Sequence, residues 1–105
     1  MSDRLTAARN YVAGKPTDRF GLYALAMELR KAKLYDESFA TYETLVQHHP
    51  AYGAAFYHYG VARRESGDRE GCIAVLRRGL DACQASKDGK TEAEIEELLD
   101  ELGAL

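Results

Sequence analysis

Tryptophan is absent from this 105-residue chain, and cysteine, proline and methionine occur only twice each. Two cysteines exclude a disulfide-built scaffold. No stretch approaches the roughly 18 uninterrupted apolar residues that a membrane-crossing helix needs. Met1-Ser2-Asp3-Arg4 begins no apolar targeting segment, so a cytoplasmic protein that binds no membrane is expected. Catalytic signatures are missing as well. There is no G-x-S-x-G, H-E-x-x-H, Walker A or G-x-G-x-x-G motif, and the nine glycines are scattered rather than gathered into a phosphate cradle. No enzyme is expected, and no motif asks for a cofactor or a metal. Strand signals are equally weak, because no long run alternates apolar with polar residues.

What is present suffices for one folded domain. The chain is 46% hydrophobic and 10% aromatic, with seven tyrosines, too apolar for disorder. At this size about 65% of the extended chain's surface is buried on folding. The net charge of -3 hides a segmented pattern. Residues 1–33 carry seven basic and three acidic side chains, whereas 34–62 carry three acids and no Lys or Arg. Residues 63–90 have seven bases and five acids, and 91–105 have six acids and no base. With no concentrated basic footprint, nucleic-acid binding is not expected.

Ala, Leu, Glu, Lys and Arg dominate the periodic segments, which predict six helices over about 3–14, 18–31, 36–48, 52–65, 69–86 and 91–102. Ile95, Leu98, Leu99 and Leu102 on the last follow the i, i+3, i+4, i+7 pattern of a single buried face. Thr91 and Glu94 have capping-box spacing and are expected to start it. The connections around Lys33-Leu34-Tyr35 and Ser66-Gly67-Asp68 are short, so the helices they join should be antiparallel partners.

Shifting the chain by 34 residues superimposes Leu22 on Phe56, Ala26 on Gly60, Ser38 on Cys72, Tyr42 on Leu76 and Pro16 on Pro50. Large falls on large and small on small. Two antiparallel helices pack closely only where small residues let their axes approach. Ala26 and Gly60 supply this on the first helix of each hairpin, Ser38 and Cys72 on the second. Pro16 and Pro50 act as helix stops.

These residues resemble the tetratricopeptide repeat (TPR) family, whose unit is a 34-residue helix-turn-helix. Window 19–52 carries the eight signature positions as Leu22, Leu25, Ala26, Leu29, Ser38, Tyr42, Leu45 and Pro50. Window 53–86 matches at Phe56, Gly60, Gly67, Leu76 and Gly79, and departs at Tyr59, Arg63, Cys72 and Gln84, the last standing where the closing proline belongs. The resemblance implies an all-α fold: antiparallel helical hairpins stacked as a short right-handed solenoid of about six helices. Residues 1–18 would be a degenerate half repeat, 19–52 and 53–86 two repeats, and 91–105 a C-terminal capping helix, all in a single domain.

The remaining polar residues read most simply as structure. His48 and His49 sit at a helix end, where imidazolium complements the helix dipole, and adjacent helical residues diverge by about 100°, which spoils a metal site with His58. Cys72 and Cys83 lie about 16 Å apart along one helix, beyond disulfide reach. The acidic run Glu92, Glu94, Glu96, Glu97, Asp100 and Glu101 reads as the solvated face of a capping helix.

In TPR arrays the first helices of successive hairpins line a concave face that takes a partner's segment. The resemblance therefore implies a protein-interaction adaptor. Its candidate contact residues are those the core does not use: Phe20, Tyr23, Met27, Arg30 and Lys31 on the first repeat, and Tyr57, His58, Val61 and Arg64 on the second. Tyr23 aligns with Tyr57, Met27 with Val61 and Arg30 with Arg64, so the face runs from aromatic through apolar to cationic. Such residue types are enriched in interfaces, and a protein or peptide that is apolar with an acidic group would suit the gradient. The alternative is a self-associating module, a homodimer formed through exposed repeat ends.

Overall fold

Four helices of this protein start on a side chain that accepts a hydrogen bond from a backbone amide of the first turn. Ser2 caps α1 (Asp3–Gly14) and Asp18 caps α2 (Arg19–Lys31). Asp68 caps α5 (Arg69–Ser86) and Asp88 caps α6 (Gly89–Glu101). Two further helices, α3 (Tyr35–His48) and α4 (Gly53–Glu65), begin at Leu34 and Tyr52 without a side-chain cap. The computed structural model describes residues 2–105, and among them these six helices and no strand are found. The expected bounds agree closely. The start of α6 is corrected: Asp88, not Thr91, is its cap, and Thr91 is buried with its amide donating to the Asp88 carboxylate at 3.1 Å.

The chain divides into two compact units, Met1–His49 and Pro50–Leu105. In the first, α1 and α3 both pack on α2. Leu5, Leu25 and Leu29 form a buried cluster with Ala8 and Val12 against it. The small pair Ala26 and Ser38 lies fully buried, and the Ser38 hydroxyl donates to the Ala26 carbonyl at 2.9 Å. A serine is suited to this place because its hydroxyl finds a main-chain acceptor instead of remaining unsatisfied.

In the second unit α4 packs on α5, and α6 packs on both. Cys72, Leu76, Cys83, Ile95, Leu98 and Leu99 form its buried cluster. A Cβ on Gly60 would lie 2.6 Å from Leu76 Cδ2, and one on Gly79 would lie 2.8 Å from both Phe56 Cβ and Ile95 Cδ1. Gly79 is thus where α4, α5 and α6 converge. Arg63 lies 5.4 Å over the Tyr59 ring and donates to the Tyr59 hydroxyl and to Asp68 at 3.2 and 2.9 Å. It thereby ties α4 to the cap of α5.

The 34-residue period is visible in the backbone. Lys33 and Gly67 both take a positive φ, 60° and 87°, and close the same turn, with the amides of Leu34 and Asp68 reaching the carbonyls of Leu29 and Arg63. Lys15 and His49, each preceding a proline, share φ near -141° and -133° as helix C-caps. The pre-proline residue is pushed out of the helical region. Where Gln84 replaces the third proline nothing stops the helix, so α5 runs on to Ser86 and ends at Lys87 in the left-handed region, φ 58°.

Gly60→Leu drives a side chain into Leu76 and is expected to destabilise the fold by about 1–3 kcal/mol, read by urea denaturation; an unchanged midpoint would refute the helix pairing. The caps predict a pH dependence. The Asp68 carboxyl is held below the usual carboxylate range chiefly by the Gly71 amide, and that of Asp88 chiefly by Thr91. A depressed folded pKa stabilises above the unfolded pKa, about 3.9, and is lost as pH falls through the folded value. Melting temperature should therefore fall as the pH drops below about 4, and less steeply in Asp88→Asn, which accepts the same bond without titrating. Parallel profiles would contradict this.

Candidate functional site

Helices α4 and α6 lie side by side on α5, and a groove of about 320 Å³ runs between them. Tyr57 and Val61 from α4 and Leu98 from α6 give it an apolar floor; Tyr57 and Val61 are half-buried against the Cys72–Leu99 cluster. The walls are charged. Glu94, Glu97 and Glu101 project from α6, and Arg64 from α4. The three glutamates follow i, i+3, i+7 spacing and so share one side of the helix. Arg64 Nη1 lies 3.2 Å from Glu101 Oε2, with both side chains about half exposed at 48% and 53%. Such a pair contributes about 0–1 kcal/mol, but it engages the one cation of the groove and leaves an excess of carboxylates.

The nine residues expected on a contact face are distributed as follows. Tyr57, Val61 and Arg64 meet in the α4–α6 groove, and His58 stands edge-on to Tyr57 at 5.3 Å. In the first unit, Phe20 is 78% exposed beside a cleft of about 310 Å³ between α1 and α2. Lys31 lines a separate cleft with Leu5 and Leu34 and pairs with Glu28 at 3.2 Å. Tyr23 and Arg30 are half-buried. Met27 is likewise half-buried, and its sulfur accepts the hydroxyl of fully buried Tyr42 at 3.1 Å.

Arg64, a residue expected on the contact face, is paired with Glu101 through exposed side chains. The acidic run is largely solvated, as expected: Glu96, Glu97, Asp100 and Glu101 are exposed and Glu92 and Glu94 half-buried, and three of its glutamates also wall the groove. Glu94, Glu97, Leu98 and Glu101 line the groove without having been expected on the contact face. Their i, i+3, i+7 spacing beside the Ile95–Leu102 stripe was the available signal.

The site holds no nucleophile paired with a base. The two thiols are both buried; burial pushes Cys72 up and Cys83 up to about 11. Among the described residues no three His, Cys, Asp or Glu side chains gather as metal ligands, and no helix is long and apolar enough to cross a membrane.

The fold defines a class: an all-α helical-repeat protein. The chain is similar to the solution structure of protein BPP2914 from Bordetella parapertussis, with a TM-score of 0.81 at 19% identity, over 98% of this chain and 90% of that one. That likeness is one of fold. No family model matches the sequence, and no curated protein matches it.

The buried thiols give a direct check. At pH 7 an aromatic disulfide reagent should react with Cys72 and Cys83 of the folded protein at least about tenfold more slowly than after denaturation, because the thiolate is the nucleophile. Equal rates would show that this core is open.

Proposed function

We propose that the protein is a small TPR-like interaction module of the cytoplasm, a compartment that keeps its two free thiols reduced, and that it performs no catalysis. Its contact site is the α4–α6 groove, and its ligand is an apolar segment of a protein partner bearing a basic group. The reading is carried by a single arrangement: an apolar floor of Tyr57, Val61 and Leu98 beneath Glu94, Glu97 and Glu101, with Arg64 already paired. The floor favours an apolar side chain, whose full burial contributes about 1.5–3 kcal/mol. The walls favour Lys or Arg and disfavour Asp or Glu, so charge supplies the discrimination. The groove lies near the lower end of ligand-pocket sizes, which suits a short segment rather than a whole domain.

Selection from a displayed random peptide library tests this. Recovered sequences should combine an aliphatic or aromatic residue with Lys or Arg, and their binding should weaken as salt rises. In Glu94→Lys/Glu97→Lys the preference should turn to acidic peptides. Recovery of acidic peptides by the native chain, or binding indifferent to both Tyr57→Ala and the charge reversal, would contradict the reading.

A further inference from the structure

The chain displays a second unexplained surface, and it is the counterpart of the groove. Phe20, near the start of α2, is 78% exposed. Asp18 already caps that helix, so nothing in the local fold requires an aromatic residue at position 20. It does not stand alone: Tyr11 is 43% exposed, and both line an apolar cleft with Ala7, Ala8 and Ala24. Isolated exposed apolar residues need no explanation, but Phe20 and Tyr11 are exposed together on one cleft. Charges of both signs flank it: Arg4 and Glu28 line the same cleft, with Glu28 paired to Lys31, while Lys15 Nζ lies 5.4 Å over the Tyr11 ring and the Tyr11 hydroxyl donates to Asp18 at 3.2 Å. The patch belongs to residues 1–33, which have four more bases than acids, whereas the wall of the groove belongs to residues 91–105, which have six acids and no base.

We infer that the occupant of the α4–α6 groove is a second copy of this chain, which inserts Phe20 over Tyr57, Val61 and Leu98 and sets Arg4 and Lys15 against Glu94 and Glu97. The inference rests on the reading of that groove as a protein-binding site. A second copy is the occupant whose complementary surface is itself on the chain: an exposed aromatic anchor in a segment with four more bases than acids, for an apolar floor walled by carboxylates. Each copy carries one donor and one acceptor surface. Reciprocal insertion closes a two-fold dimer; one-way insertion adds copies head to tail.

Light scattering after size exclusion, over increasing protein concentration, reads the association. The mass should rise with concentration, and the association should weaken at 0.5 M salt, an ionic strength at which screening is strong over about 4 Å. Phe20→Ser, and separately Glu94→Lys/Glu97→Lys, should each raise the apparent dissociation constant at least about tenfold. Mixed one to one, the two variants should associate again, because the first keeps its groove and the second keeps Phe20. Circular dichroism checks that both are folded, and Arg4→Glu/Lys15→Glu, which leaves both apolar surfaces intact, should weaken association independently. A native chain that stays monomeric at every concentration overturns the inference, as does a mixture that fails to associate. If that monomer still selects basic peptides through Tyr57, the groove remains a binding site and only its occupant was misassigned. If it selects none, both readings fall.

Discussion

The close approach of three helices at two glycines governs the second unit. With hydrogen in place of a Cβ, Gly60 accepts the Leu76 side chain, and Gly79 accepts Phe56 from one helix and Ile95 from another. α4 and α6 can then both rest on α5, which fixes their separation and hence the width of the groove between them. Any larger side chain would spread the helices and forfeit dispersion contacts on both sides. The first unit reaches the same end differently, with Ala26 against Ser38 and a buried hydrogen bond across the gap. One geometric requirement is met by two chemistries.

Electrostatics then decides what that geometry is good for. Acidic side chains concentrated on α6 are of little consequence to the fold, since the pair between Arg64 and Glu101 is exposed. Under the proposed binding role, the same charges over an apolar floor would matter more, because they would select among partners that the floor alone would accept. Caps formed by Asp68 and Asp88 have the opposite role. They are local, satisfy helix amides and carry no information about partners.

The architecture was legible in the sequence because its determinants are local and periodic. Ala26, Gly60, Ser38 and Cys72 are small where helices meet, and Pro16 and Pro50 stop helices where the period requires it; each of these is visible in sequence as in structure. The departures have equally local causes. Gln84 permits a longer α5, so α6 falls 36 rather than 34 residues after α4, with thirteen residues in each and a positive-φ glycine, Gly67 or Gly103, closing both. A search at a shift of 34 therefore sets Glu94 and Glu97 out of register with α4 and hides the facing wall of the groove. Asp88 displaced Thr91 as the cap for the same reason, since the turn after the longer α5 presents the aspartate first. The contact from Tyr42 to the Met27 sulfur is not legible in sequence, because it depends on a buried tyrosine hydroxyl meeting an acceptor from another helix.

The helix approach in the second unit is tested most directly by a double-mutant cycle between Gly60→Ala and Leu76→Ala, read as unfolding free energy in urea. With Leu76 in place, the new Cβ at Gly60 has nowhere to go, and the substitution should destabilise. With Leu76 truncated, the obstruction is gone, and alanine's better helix propensity, about 1 kcal/mol over glycine, should make the same substitution stabilising. A coupling of about 1 kcal/mol or more, with that reversal of sign, is the predicted result. Additivity within about 0.5 kcal/mol would mean that the two side chains do not share this space, and the packing on which the groove depends would be wrong.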